Sequence, residues 1–228
     1  MRMMEPMAAP APAAPRKIVS RDPVKTRARI LKAAIAEFSA KGYSGARTVQ
    51  IASRAKSNIR MLYHYFGGKD ALYVCVLEEV LQRLRSAELQ LDFDATAPVD
   101  GILKMFDFID THFGARPELR RLLAFENMNQ ARHLNRSAAI RETASPVLDH
   151  IAGLLRRGQA SGVFRPGIDA LHLYTAMVSL AYYSRAHAPT LSRIFGTDLL
   201  DSRWQADHRL QSHQMLIGFL CHPTAKQP

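Results

Sequence analysis

From about residue 23 to residue 220 the apolar side chains recur at intervals of three and four, and no stretch alternates apolar and polar residues with the period of a strand. That spacing predicts an all-α fold. Asp22 is placed to cap a first helix with Pro23 in its first turn, and Ile30, Leu31, Ala34, Ile35 and Phe38 form its apolar stripe until Gly42. A short second helix is expected from Arg47 and Thr48, burying Ile51 and Ala52 and stopping at Arg54 to Lys56. A third, capped by Asn58, buries Leu62 and Phe66 and breaks at Gly67-Gly68. A long fourth helix runs from Gly68 or Lys69 to about Leu91 with Leu72, Val76, Val80 and Leu84 at four-residue spacing. Further helices are expected over 98–114, 117–132, 135–160, 168–188 and 202–220, with no internal repeat.

The chain's 228 residues, 47% of them hydrophobic, are enough for one large domain or two small ones with a real core. No apolar run approaches the roughly 18 residues that a membrane span needs. The first 15 residues, rich in Met, Ala and Pro, lack the apolar stretch of a secretory signal, so a cytoplasmic location is expected. Residues 1–22 alternate Ala and Pro and end in Arg16, Lys17 and Arg21. They read as a tail, either an unengaged extension or a basic arm for a groove of DNA.

Charge narrows the function. Residues 1–70 hold 14 basic and 4 acidic side chains, whereas residues 71–228 hold 17 and 16. A polyanion partner accounts for such asymmetry, because each neutralised phosphate releases condensed counterions. A basic face that only aids solubility is the alternative. The dimensions of the second and third helices are those of a helix-turn-helix, with Leu62 and Phe66 facing in and Arg60, Met61, Tyr63, His64 and Tyr65 facing out.

Catalysis is not expected: the chain has no Gly-rich phosphate loop, no metal-ligand spacing and no nucleophile motif, and neither a cofactor nor a metal is anticipated. Cys75 and Cys221 lie too far apart in sequence for a zinc or redox motif. Two other readings stay open, a thiol-based redox regulator using Cys75 and a helical adaptor for other proteins. The valines beside Cys75 and the lopsided charge weigh against each in turn.

The segment Thr48–Leu72, TVQIASRAKSNIRMLYHYFGGKDAL, resembles the DNA-binding region of the TetR family of transcriptional regulators. The likeness rests on an Ile-Ala pair in the second helix, a Leu-Tyr-x-x-Phe run closing the third and a Gly/Lys/acid/Ala/Leu opening of the fourth. It covers about residues 24–85, and TLSRIFGTD at Thr190–Asp198 resembles a stretch in some members' C-terminal domains. The chain departs from the family pattern with Lys56 and Ser57 in the turn, where a small Gly and an apolar residue are usual, and with Ile59 at a commonly polar position.

The resemblance implies that Thr48 and Val49 approach the duplex and that Asn58, Ile59, Arg60 and Met61 enter the major groove. Tyr63 and Tyr65 would then reach phosphates, His64 would lie between bases and backbone, and Lys69 would meet phosphate at the start of the fourth helix. It implies a helix-turn-helix domain at 23–70, an effector-binding and dimerisation domain at 71–222 and a short tail at 223–228. The helices near 168–188 and 202–220 would form a homodimer reading a pseudo-palindromic operator. A small-molecule effector would bind among Phe106, His112, Phe113, Phe125, Asn127, Met128, Gln130 and Tyr182 and release the repressor from DNA.

Overall fold

The computed structural model describes residues 22–93, 95–142 and 145–221. The basic tail and the last residues lie outside that range. The described residues are α-helical throughout, apart from connecting turns and an isolated antiparallel bridge from Phe164 to Cys221.

The first helix, α1 (Pro23–Gly45), starts as its sequence implies: the Asp22 carboxylate accepts from the backbone N–H groups of Val24 and Lys25, and Pro23 sits where no donor is needed. Its regular geometry breaks at Gly42, which takes φ +66°. Helices α2 (Thr48–Arg54) and α3 (Ile59–Phe66) pack across it, burying Ile51, Ala52, Leu62 and Phe66 against Ile30, Ala34 and Phe38. Glu37, almost fully buried on α1, ties α1 to α2. It accepts from Lys41 at 2.7 Å and faces Arg54 of α2 at 3.7 Å. Burial pushes its carboxyl up, but the Lys41 hydrogen bond and charge, the Arg47 backbone N–H and the Arg54 charge outweigh that and hold it below the usual carboxylate range.

Helix α4 (Lys69–Glu88) leads away with Leu72, Tyr73, Val76, Leu77, Val80 and Leu84 inside. The rest comprises α5 (Pro98–Ala115), α6 (Pro117–Met128), a 3-10 turn at Leu134–Arg136, α7 (Ala138–Glu142), α8 (Ser145–Ala160), α9 (Ala170–Ala186), α10 (Ala188–Phe195) and α11 (Ser202–Leu220). Helix α5 lies at the centre of this part, touching α8, α9 and α11, and its buried Asp110 carboxylate accepts from Arg185 of α9 and Arg209 of α11. Helix α6 leans back onto α1, where Phe125 closes on Gly42. None of the helices is long and apolar enough to cross a membrane among the described residues.

Two departures from the sequence reading have local causes. The helix expected over 117–132 stops at Met128, because Gln130 and Ala131 take left-handed φ values of 54° and 55° and the Glu126 carboxylate draws in the N–H groups of His133 and Leu134, and the helix expected over 135–160 is divided among the 3-10 turn, α7 and α8. A side-chain acceptor there competes with helix continuation. A further helix, α10, lies between the helices expected over 168–188 and 202–220: Pro189 occupies its first turn and Gly196 ends it at φ +65°.

Candidate nucleic-acid interface

The α3 helix has only eight residues, and its periodicity decides which of them can reach a partner. Leu62 is fully buried, so Arg60 and His64, four apart, occupy the stripe on the opposite side with Tyr63 beside them; all three are exposed. Asn58 fastens the start of the helix, its Oδ1 accepting from the Met61 N–H at 2.8 Å. At the end, the Gly67 N–H donates to the Tyr63 carbonyl at 2.8 Å with Gly67 at φ +77°. The face expected from sequence is narrower than supposed. Met61 and Tyr65 are half-buried and pack on the core, as does Ile59, because a helix lying on α1 and α4 covers the positions on either side of Leu62 as well as Leu62 itself.

Val49, at the start of α2, is exposed and Thr48 is half-buried. The α2 helix has no side-chain cap, and neither does α4, whose N-cap is Gly68. Both therefore present unsatisfied N–H groups and the positive end of a helix dipole, the chemistry that receives a phosphate. Lys69 extends from that start over the Tyr43 ring, 4.8 Å from its centroid, with its Nζ 3.4 Å from the Ser44 carbonyl. Val49 of α2 and Arg60, Tyr63 and His64 of α3 are thus exposed, with Asn58 capping α3, and Lys69 lies half-buried at the start of α4.

The turn between α2 and α3 adopts the geometry that its sequence makes difficult. Lys56 sits at φ +50°, left-handed backbone that costs an L-residue about 1–2 kcal/mol. Glycine there is expected to raise stability by about 0.5–1 kcal/mol, the relief of strain exceeding the extra entropy of the unfolded chain. Urea denaturation of Lys56→Gly checks this; an unchanged or lower midpoint would count against a strained turn.

Comparison with known proteins agrees with this geometry. Residues 30–75 match the family described as bacterial regulatory proteins, tetR family, and residues 98–216 match the tetracyclin repressor-like C-terminal domain. The chain belongs to the TetR family of transcriptional regulators. It is 36% identical over 183 residues to the HTH-type transcriptional repressor NicS of Pseudomonas putida, covering 80% of this chain and 86% of that protein. It is 34% identical over 205 residues to the HTH-type transcriptional repressor SCO4008 of Streptomyces coelicolor, covering 85% and 98%. Among solved structures, the putative transcriptional regulator SCO4942 of Streptomyces coelicolor aligns over 87% of this chain and 99% of its own with a TM-score of 0.66 at 27% identity. As in other TetR regulators, function here is DNA binding in the control of transcription.

The residues expected to hold an effector are not gathered in one place. Phe106 and Phe113 are core, and the Phe113 ring meets Tyr182, whose hydroxyl donates to the Arg120 carbonyl at 3.3 Å. His112 lines an open groove of about 640 Å³ between α4 and α5, together with Gln82, Arg83, Gln90 and Arg116. Burial and then the Arg116 charge push its imidazole below the usual histidine value. Phe125 sits at the α1 seam, while Asn127, Met128 and Gln130 are exposed at the surface, Met128 by 82%. The reason is the phase of α6: Leu119, Leu122 and Glu126 take its inward side, which turns 127 and 128 out.

Cys75 is a poor candidate for a redox switch. Burial and then Glu78 push its thiol up, away from the reactive thiolate. The sequence reading also missed a polar seam between α1, α4 and the end of α6. Tyr43 donates to Asp70, which also accepts from Arg136 at 2.9 Å, and buried His133 pairs with buried Glu126 at 2.9 Å. The His133 ring lies against both Tyr43 and Tyr73, and burial and then Glu126 drive the Tyr73 phenol far above its ordinary value. These partners are 7 to 66 positions apart, a separation that no local periodicity encodes.

Proposed function

We propose that this protein is a homodimeric repressor that binds a pseudo-palindromic operator and leaves it when a small molecule binds the C-terminal part. The observation that carries the reading is the outward stripe of α3, where Arg60, with no ion pair among the described residues, is exposed together with Tyr63 and His64. A twofold assembly is supported by α9 and α11. Their buried stripes (Leu173, Met177 and Ala181; Ser212, Leu216 and Leu220) leave Leu171, Tyr183, Leu210, Met215 and Ile217 exposed on other sides. Apolar area of that kind on a soluble regulator is normally covered by a second copy. Two such chains present two α3 helices to successive major grooves, which is why the operator is expected to be twofold.

Repression, rather than activation, is carried over from relatives named as repressors. The effector is assigned to the helices after α4, with His112 and the Phe113–Tyr182 pair near the end of α5 as the first candidates to touch it. Operation in the cytoplasm follows from the same role. Footprinting of the DNA upstream of its own gene, with sedimentation of the purified protein, tests the reading. A protected sequence with twofold symmetry and a dimer are expected. A monomer that ignores duplexes at low ionic strength would refute the proposal.

A further inference from the structure

The seam between the DNA-binding helices and the rest of the chain places a charge from the far side next to a phosphate site. Asp70, in the first turn of α4, follows Lys69 directly. Left alone, its carboxylate would weaken the attraction of that helix start for DNA, since a negative charge repels phosphate over about a Debye length. It is not left alone: Tyr43 donates to one oxygen, and Arg136 approaches the other at 2.9 Å. The Tyr43 hydrogen bond first, and Arg136 second, hold this carboxyl below its usual range, so it stays ionised and depends on its partners for neutralisation.

Arg136 does not belong to the DNA-binding helices. It ends the 3-10 turn after α6, and that turn hangs on Glu126. The Glu126 carboxylate accepts from the His133 and Leu134 N–H groups at 3.2 and 3.3 Å and faces the His133 ring at 2.9 Å. Ser137 completes the attachment by donating to Glu78 of α4 at 2.6 Å. The Asp70–Arg136 pair is itself half-exposed on both sides, and such pairs contribute little to stability. Its location, one residue from Lys69, is what gives it an effect on binding.

We propose that Arg136 is a positioning residue for the phosphate site at the start of α4: seated on Asp70 it cancels that carboxylate, and without that contact the carboxylate stands uncovered next to Lys69 in the chain and weakens DNA binding. This rests on the DNA-binding reading above and makes a residue outside the DNA-binding helices a contributor, through charge, to the interface. Glu126 sets the position of Arg136, because its carboxylate at the end of α6 holds the backbone that leads to that residue.

The test is equilibrium binding of the full-length protein to a labelled random-sequence duplex about three turns long, between about 50 and 200 mM salt. Arg136→Ala is expected to weaken binding about three- to tenfold at the low-salt end and less at the high end, since screening shortens the reach of Asp70. Arg136→Lys should bind nearly as wild type. Adding Asp70→Asn to Arg136→Ala should restore affinity, which a merely structural role for Arg136 does not predict. Glu126→Gln, which sets an amide N–H2 against the backbone donors, should weaken binding as Arg136→Ala does and be relieved by the same Asp70→Asn change. Unchanged binding by Arg136→Ala, or a loss that Asp70→Asn leaves in place, would overturn the proposal. Wild-type affinity in Glu126→Gln would overturn the link to α6. Wild-type protein that ignores the duplex would overturn the DNA-binding reading and this inference with it.

Discussion

Asp110→Ala is expected to destabilise the protein by about 3–5 kcal/mol, the cost of stripping one partner from a buried ion pair. Asp110 is almost fully buried on α5, with one oxygen on Arg185 and the other 2.9 Å from the Arg209 Nε and 2.7 Å from its Nη2. The Arg185 side chain is only 7% exposed, so without the carboxylate its charge keeps the Ala181 carbonyl at 3.1 Å and no counter-charge. Arg209→Ala is the informative comparison. That guanidinium is 41% exposed and can return to water, so its loss should cost about 1 kcal/mol or less. Urea unfolding of the two variants measures the difference; equal losses would mean that Arg185 relaxes to solvent. Because α9 and α11 carry the exposed apolar faces, Asp110→Ala should also weaken self-association.

Arg60→Ala is expected to cost about 1–3 kcal/mol of operator affinity, roughly five- to 150-fold, and to relax preference at one base pair in each half-site. The guanidinium is exposed on the outer stripe of α3 and pairs with no carboxylate among the described residues, so it meets DNA without first giving up one of them. Lys69→Ala should behave differently. It removes a phosphate contact, so affinity should fall across all sequences and the dependence on salt should become shallower by about one ion. Binding of each variant to the footprinted operator and to single-base variants of it separates the two effects. An Arg60→Ala protein with unaltered sequence preference would place specificity elsewhere, with His64 next in line on the same stripe.

What could be read from the residues in order was whatever their near neighbours decide. The Asp22 cap, the Asn58 cap and the positions of α2 and α3 follow from side chains that bond within four residues, and they stand where the sequence puts them. The lean of Met61 and Tyr65 toward the core could not be read that way, because it depends on how α3 lies against its neighbours. The same holds for the α6 end. Nothing in the run from Asn127 to Arg136 announces that Glu126 will gather two backbone N–H groups and an imidazole and so end the helix early.

Period and charge along the chain were enough to determine an all-helical protein with a basic helix-turn-helix at its front, since helix phase, capping and net charge are properties of neighbouring residues. Only the tertiary structure decided that the expected effector residues disperse, that Asp110 holds two arginines and that Arg136 pairs with Asp70. Each is set by how whole helices pack, which decides whether side chains far apart in the chain meet, rather than by the order of residues within one helix.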